Sequence, residues 1–431
     1  MRLIPSNILE LYMLQDDADM RGGAFKNGVS KRQRTPPLNI IFITLLVDSI
    51  GYGLVIPLIP FYALEFGANS TLLGVLVSSF ALMQFFFAPF LGRLSDRIGR
   101  RRVLLYSLLF SVISFIIFTT ANSFIMLLCS RLIAGMATEY GVAYAYISDI
   151  TGEKSRTSAL GKVGAASNIG IILGPAIGGF INIYGRFWLP GLAATALTLL
   201  NLVFIYLFLP ETVKLKDGDP VNYKMFKPAS YIKEIQVLLK SSAIGPALGI
   251  IFAMAFAFAA MPVVLPLYSW DVFGLGEAAV GIFFAYIGIL GFIIQFILVG
   301  RLSKKIGDDI IILSGVILTV TGVFSLPLLP SIILFMTGIT VVSIGVFLAD
   351  VAISSFLSKK TNPENYGITM GVSESMSSIA RIPGPIIAGL TYQLALFAPF
   401  FVAGFLLLIA LCLGVFIIIK ELRNRKDASL S

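Results

Sequence analysis

The sequence predicts an all-α polytopic membrane protein, twelve transmembrane helices arranged as two six-helix pseudo-repeats, and three observations lead there. Apolar residues make up 57% of the 431, and charged ones only 13%, where soluble domains run near 45–50% and 25%. Lysine and arginine are confined to alternate segments between apolar runs. Two stretches of sequence recur at a nearly constant offset. A single water-soluble core stops growing well below this length, so side chains this apolar must face lipid. A bilayer-crossing helix takes about 20 residues, so twelve take roughly 240, close to the apolar stock in hand.

In chain order, the apolar runs are cut wherever charge, Gly/Pro or Asn clusters interrupt them. The first six spans fall at 38–62, 71–92, 103–121, 124–148, 159–183 and 188–210. The second six fall at 243–269, 278–300, 310–328, 332–357, 367–392 and 396–419. The tightest turn is the one near Pro327 and Pro330. Residues 1–37 are polar and read as a cytoplasmic tail without a signal-peptide core. The stretch 211–242 is the longest internal polar segment. It links the bundle 38–210 to the bundle 243–419, and 420–431 is a second tail.

Short cytoplasmic loops retain Lys and Arg, and this tests the cut independently. Of the 32 basic residues, Arg131 and Arg381 lie within spans and Arg186 alone falls in an outer loop. All the others fall in segments that should share one side, both tails included, and an even number of spans is needed to put them there. The net charge of +9 thus follows from topology, and no nucleic-acid partner is inferred from it. In the absence of targeting signals the expected location is the plasma membrane, as a multi-pass protein with both termini cytoplasmic. There is no histidine, and the two cysteines, Cys129 and Cys412, lie in apolar runs. Disulfide frameworks, zinc sites and Ser-His-Asp catalysis are therefore excluded. Neither a cofactor nor enzymatic chemistry is expected, there being no nucleophile–base pair or phosphate loop.

The repeat is the most informative feature. Gly92-Arg93-Leu94-Ser95-Asp96-Arg97-Ile98-Gly99 returns 208 residues later as Gly300-Arg301-Leu302-Ser303-Lys304-Lys305-Ile306-Gly307. Gly174-Pro175 with Gly179 returns 210 residues later as Gly384-Pro385 with Gly389. The first pair closes the second span of each half and the second pair lies in the fifth. Parallel repeats of this kind place a binding site between the halves near the midplane, opening to either side as they rock. That is a carrier's architecture.

On these residues the chain resembles the major facilitator superfamily across 38–419. Gly92 through Arg101 matches that superfamily's signature in the loop after the second helix. Narrower motifs resemble its drug:proton antiporter branch and the tetracycline efflux proteins within it. Gly170-x-x-x-Gly174-Pro175-x-x-Gly178-Gly179 matches the antiporter motif of helix five, and Arg131-x-x-x-Gly135 is similar to that of helix four. Asp48-x-x-Gly51-x-Gly53-x-x-x-Pro57-x-x-Pro60 resembles the first helix of tetracycline-type exporters, and Tyr146 through Thr151 the end of their fourth. The third span lacks the acidic residue that such exporters carry. The resemblance implies proton-coupled export by alternating access.

A charge placed mid-membrane costs at least about 2.5 kcal/mol on the most lenient scale. Asp48 in span 1, Arg131 and Glu139 in span 4, Asp350 in span 10, and Glu374 and Arg381 in span 11 therefore stand out. Each is either half of a fixed ion pair that keeps helices in register or a group on a water-filled path. A proton-coupled carrier needs a carboxyl that loses and regains a proton. Withdrawal from water holds that proton more firmly and a nearby guanidinium loosens it, so movement relative to Arg131 would switch such a group. Asp48 is the first candidate and Glu139 the second. On a continuous helix, eight residues place Glu139 about 80° around from Arg131.

Gly170, Gly174 and Gly178 form a smooth stripe for close helix approach, and Pro175 bends the helix. Such a face packs helices and, in doing so, can seal one end of a pathway. Gly384, Pro385 and Gly389 would do the same in the other half. By resemblance, Asp96 should sit against the start of span 11 near Tyr366–Thr369. Arg97 or Arg101 should pair with Asp149. Gly92 and Gly99 belong to the same gating loop. Its counterpart of Asp96 is Lys304, so the latch is asymmetric.

Tyr52, Tyr140, Tyr144, Phe252, Phe256, Phe258, Tyr286 and Gln295 lie in spans that line the cavity of this fold. An aromatic, sparsely charged cavity suits an amphipathic organic molecule, although aromatics in apolar helices more often pack than bind. Tyr52 and Gln295 are the foremost of them. The expected partners are a small-molecule substrate, protons and the lipid bilayer, with the chain acting as a monomer. A carrier of sugars or other metabolites, and a non-transporting receptor or lipid-binding protein, are the alternatives.

Overall fold

The computed structural model of the chain describes residues 37–182, 186–212, 235–242, 244–361 and 366–430. Most of the expected N-terminal tail, the middle of the linker and the side chains of Lys154, Arg156 and Lys304 lie outside the described residues. The first six helices are α1 (Pro37–Glu65), α2 (Ser70–Ile98), α3 (Arg100–Thr119), α4 (Phe124–Ile150), α5 (Glu153–Ile181) and α6 (Trp188–Phe208). The second six are α7 (Gly245–Phe273), α8 (277–306), α9 (Asp308–Leu328), α10 (Ile332–Lys360), α11 (366–394) and α12 (Ala398–Leu430). Ten of these contain a stretch long and apolar enough to cross a membrane. The other two, α8 and α11, are interrupted; counted with the ten, they fit the expected twelve. No strand occurs among the described residues.

The helices outrun the apolar spans. The expected loop 92–102 is two helix ends that meet at Gly99 (φ +107°), and Gly307 (φ +90°) plays the same part between α8 and α9. Only glycine takes such a φ without strain. Likewise α12 continues to Leu430 rather than ending near 419. Apolar length reports the lipid to be crossed, and a helix can run beyond it into water with charged residues.

Four helices break inside the apolar region. α1 tightens into a 3₁₀ turn at Ile56–Leu58, where Pro57 and then Pro60 remove backbone donors. α4 stops at Met136 and restarts at Glu139, so the 80° spacing expected on a continuous helix does not hold. α8 carries a π-helical turn at Ile294–Leu298, and α11 turns at Arg381–Ile382 just ahead of Pro383. Irregular backbone at this depth is tolerated where protein or water covers it.

Glycines set how the helices approach. The Gly170, Gly174 and Gly178 stripe of α5 lies on α1, against Ser49, Ile50, Gly53 and Leu54. It therefore packs within its own half. The contacts between halves involve its neighbour Gly179, which faces Gly281 of α8, and Gly288, where an added Cβ would sit 2.6 Å from Ile172 of α5. On the other flank, α2 and α11 touch: a Cβ on Gly74 would strike the Pro385 carbonyl, and one on Gly389 would strike that of Ser70. Ser78 Oγ donates to the Ile382 carbonyl (2.7 Å) and Thr71 Oγ1 to Gln393 Oε1 (2.7 Å).

All these contacts lie in the half of the bundle away from Gly99 and Gly307. One apolar core runs through that end, joining Leu73 and Leu76 to Ala257 and Ala388. At the Gly99 end the first six helices keep a separate core around Leu104, Val142 and Tyr146. Gly141, Gly161 and Gly371 there face open space. The two six-helix halves are thus sealed at one end and parted at the basic-loop end.

Candidate functional site

The cleft between the parted halves leads to the helix breaks, and the charge-bearing residues gather there. Glu139 is the first residue after the break in α4, Gln295 lies in the π turn of α8, and Arg381 sits at the break in α11. Sequence patterning located these residues without locating the breaks. The available signals were weak: Gly135, whose Cβ would strike the Phe80 carbonyl of α2, before Thr138 in α4, and Pro383 with Pro385 in α11.

In the first half, Glu139 is 1% exposed and accepts a hydrogen bond at Oε1 from Ser111 Oγ (3.0 Å). Its place at the start of a half-helix is one where the backbone dipole favours a carboxylate. Asp48 of α1 is 7% exposed. Among the described residues it makes no hydrogen bond or ion pair. Asp48 and Glu139 interact electrostatically, and both act on Tyr140. The Tyr140 hydroxyl shares a hydrogen bond with Ser49 Oγ (2.8 Å). A short run of hydroxyls and carboxyls therefore joins α1 to α4.

Arg131 is 2% exposed, donates from Nη2 to Ser130 Oγ (3.2 Å), and lies 5.5 Å from the centre of the Phe118 ring. Its Nε has no partner. No ion pair joins Arg131 to a carboxylate among the described residues, so neither Asp48 nor Glu139 is half of a fixed pair with it. Its electrostatic partner is Tyr52.

The second half presents its charges differently. Glu374 has 71% of its side chain exposed and stands 4.0 Å from Arg381, which donates from Nη2 to Ser377 Oγ (3.0 Å). Asp350 is exposed and lies within electrostatic reach of both. Side-chain interactions also cross between the halves here. Tyr52, stacked on Phe80 at 5.0 Å, feels both Arg131 and Arg381, and the exposed Tyr144 feels Glu374. Asn168 of α5 meets Gln295 at 3.4 Å.

Tyr52, Tyr140, Tyr144 and Gln295 thus surround the same region. Phe256 is buried, with its carbonyl against Gly384 of α11. Phe258 is exposed and Phe252 partly buried, and Tyr286 is tied to Thr340 (2.7 Å).

At the mouth of the cleft, Arg100 rather than Arg101 holds Asp149, from Nε at 3.0 Å. Arg100 also pairs with Asp96 (2.6 Å), whose side chain is 57% exposed. Arg101 turns outward to the Tyr206 carbonyl (2.5 Å) and its ring, and its backbone N–H reaches Glu211 (3.4 Å). Arg100 lies inside the signature stretch Gly92 through Arg101, and the sequence does not show which of its arginines turns toward Asp149. Gly99 has the Glu211 carboxylate where a Cβ would be, whereas Gly92 faces open space. Of the stretch Tyr366–Thr369 where Asp96 was expected to dock, the surroundings of Tyr366 and Gly367 lie outside what is described.

Residues 41–385 match the Major Facilitator Superfamily. The chain is 30% identical over 389 residues to Multidrug resistance protein 1 of Bacillus subtilis (strain 168), covering 88% of this chain and 95% of that protein. It is 30% identical over 367 residues to the class C Tetracycline resistance protein of Escherichia coli, covering 82% and 89%. Among solved structures, the human organic anion transporter MFSD10 (TETRAN) superposes with a TM-score of 0.65 at 24% identity, covering 88% of this chain and all of that one. A POT family transporter in complex with 5-aminolevulinic acid gives 0.71 at 17%, covering 89% and 95%. At these identities the two structures speak to fold.

Proposed function

The chain belongs to the major facilitator superfamily, and from that premise we propose that it exports amphipathic small molecules in exchange for protons, by alternating access. The observation that carries this reading is the pair of buried carboxyls, Asp48 and Glu139, of which Glu139 is held by the Ser111 hydroxyl and neither is paired with a cation among the described residues. Such groups take up and release protons as the side to which they open changes. Relatives named for multidrug and tetracycline resistance support the substrate class.

In this reading the basic loops and both termini face the cytoplasm of a cell whose plasma membrane holds the protein, and a single chain is the working unit. The parted end is then the cytoplasmic one, and the structure is its cytoplasm-open state. Tyr52, Tyr140, Tyr144 and Gln295 line the substrate path with Asp350, Glu374 and Arg381, while Phe256 packs behind it. Arg131 acts on that path through Tyr52. On closure, Asp96 leaves Arg100 for the start of α11, and the open space beside Gly92 is filled. Gly179 and Gly389 seal the far side.

Reconstitution into liposomes tests this. A proton gradient should drive tetracycline or a lipophilic dye across the membrane, and a protonophore should abolish that flux. Flux indifferent to the gradient would overturn proton coupling, and binding without flux would overturn transport.

A further inference from the structure

We infer that the two halves carry the same brace at their basic-loop ends with its charges exchanged, and that this brace keeps each half rigid while the halves move. It goes beyond the transport reading and holds for any substrate. The offset that relates Gly99 to Gly307 also relates Ser95 to Ser303 and Arg100 to Asp308, and the offset of the fifth-helix motif relates Asp149 to Lys359 and Glu211 to Glu421. Base and acid have therefore traded places between the start of the third helix and the end of the fourth.

The contacts follow the exchange. In the first half Arg100 donates to Ser95 Oγ (2.6 Å) and to Asp149 Oδ2 (3.0 Å). In the second, Asp308 accepts from Ser303 Oγ (2.5 Å), from Ser355 Oγ (2.8 Å) and from Lys359 Nζ (2.7 Å). The serine permits the swap, because a hydroxyl both gives and accepts hydrogen bonds: Ser95 accepts where Ser303 donates. The acid ending the sixth helix keeps its sign and follows the base. Glu211 lies on the backbone of Arg101, whereas Glu421 pairs with Lys360 at the end of α10 (2.7 Å).

Every one of these contacts joins helices of the same half, so rocking need not break them. Asp308 has 4% of its side chain exposed and is enclosed by α8, α9 and α10. The exposed acid on the first brace, Asp96, is matched in the second half by Lys304. The second brace therefore has no counterpart of the acid that Asp96 supplies to the first, and its role is fixed positioning.

Full-length protein with Cys129 and Cys412 replaced by Ser would carry spin labels at Ile310 and Ile419, on α9 and α12. Asp308→Asn should lower the melting temperature and broaden the label-to-label distance distribution within this half. Asp308→Arg alone should do the same. Adding Lys359→Asp to it rebuilds the first half's polarity and should restore both readings. If Asp308→Asn cannot be purified, Lys359→Gln, which leaves both serine contacts in place, should broaden the distribution less severely. The inference is overturned if the single variants leave the distribution as narrow as in the parent, or if the double variant is no better than Asp308→Arg.

Discussion

A carboxyl that carries protons must be reachable from one side at a time, and Asp48 and Glu139, proposed for that task, are held differently. Glu139 is anchored by Ser111 at a half-helix start, so Glu139→Gln keeps the hydrogen bond and the fold. Its transport should survive with a flattened dependence on pH, measured as initial flux across a series of external pH values. Asp48 has no such anchor among the described residues. Asp48→Asn should drop gradient-driven flux to background while substrate binding, read by ligand-induced thermal shift, persists; intact flux would remove Asp48 from the proton path. Arg131 gives a sharper contrast. Removing a buried charge from an ion pair costs about 3–5 kcal/mol because a partner is stranded, but an apolar replacement where none is stranded is neutral or stabilising. Arg131→Met should therefore hold its melting temperature and lose transport. Asp48, Arg131, Glu139, Asp350, Glu374 and Arg381 were legible in sequence because charge is rare in apolar runs. Their partners across helices were not: Ser111 is an ordinary serine until α3 and α4 bring it to Glu139.

At the scale of a helix, closeness is decided by residues with no side chain to give. Gly74 and Gly389 hold α2 and α11 together at the sealed end, and an added methyl there strikes backbone that cannot yield. Overpacking of this kind costs about 1–3 kcal/mol, and each ~1.4 kcal/mol is tenfold in an equilibrium. Gly74→Ala should therefore shift the population about five- to a hundredfold away from the state sealed at this end. Faster thiol labelling of a cysteine at Thr71 would report that shift, and unchanged labelling would mean the contact is not state-determining. The same physics sets what the sequence could tell. Apolar periodicity and charge gave twelve segments within a few residues, and the motif glycines were visible as a stripe. Which helix each glycine meets was not: Gly170, Gly174 and Gly178 pack within their half, and the seal between halves falls to Gly74, Gly179, Gly281 and Gly389. Nor were the breaks in α4 and α8 visible, since a lone Gly135 or a π turn leaves no distinct pattern in an apolar run.

For the described bundle as a whole, two related six-helix units meet at one end and part at the other. The duplication was legible because the motifs return at a nearly fixed offset, and the membership of the major facilitator superfamily agrees with it. The state was not legible, because one sequence encodes every state through which the halves rock. The charge exchange between Arg100 with Asp149 and Asp308 with Lys359 belongs to this scale too, since it appears only when the halves are compared. Reciprocal motion is the central claim, and pulsed electron paramagnetic resonance on two label pairs in the cysteine-free protein tests it most directly. One pair, at Arg102 and Ile310, spans the halves at the basic-loop end; the other, at Leu72 and Leu328, spans them at the sealed end. A shift of pH or addition of a transported substrate should shorten the first distance while lengthening the second. Distances that stay fixed, or that change in the same sense, would contradict rocking about a central site.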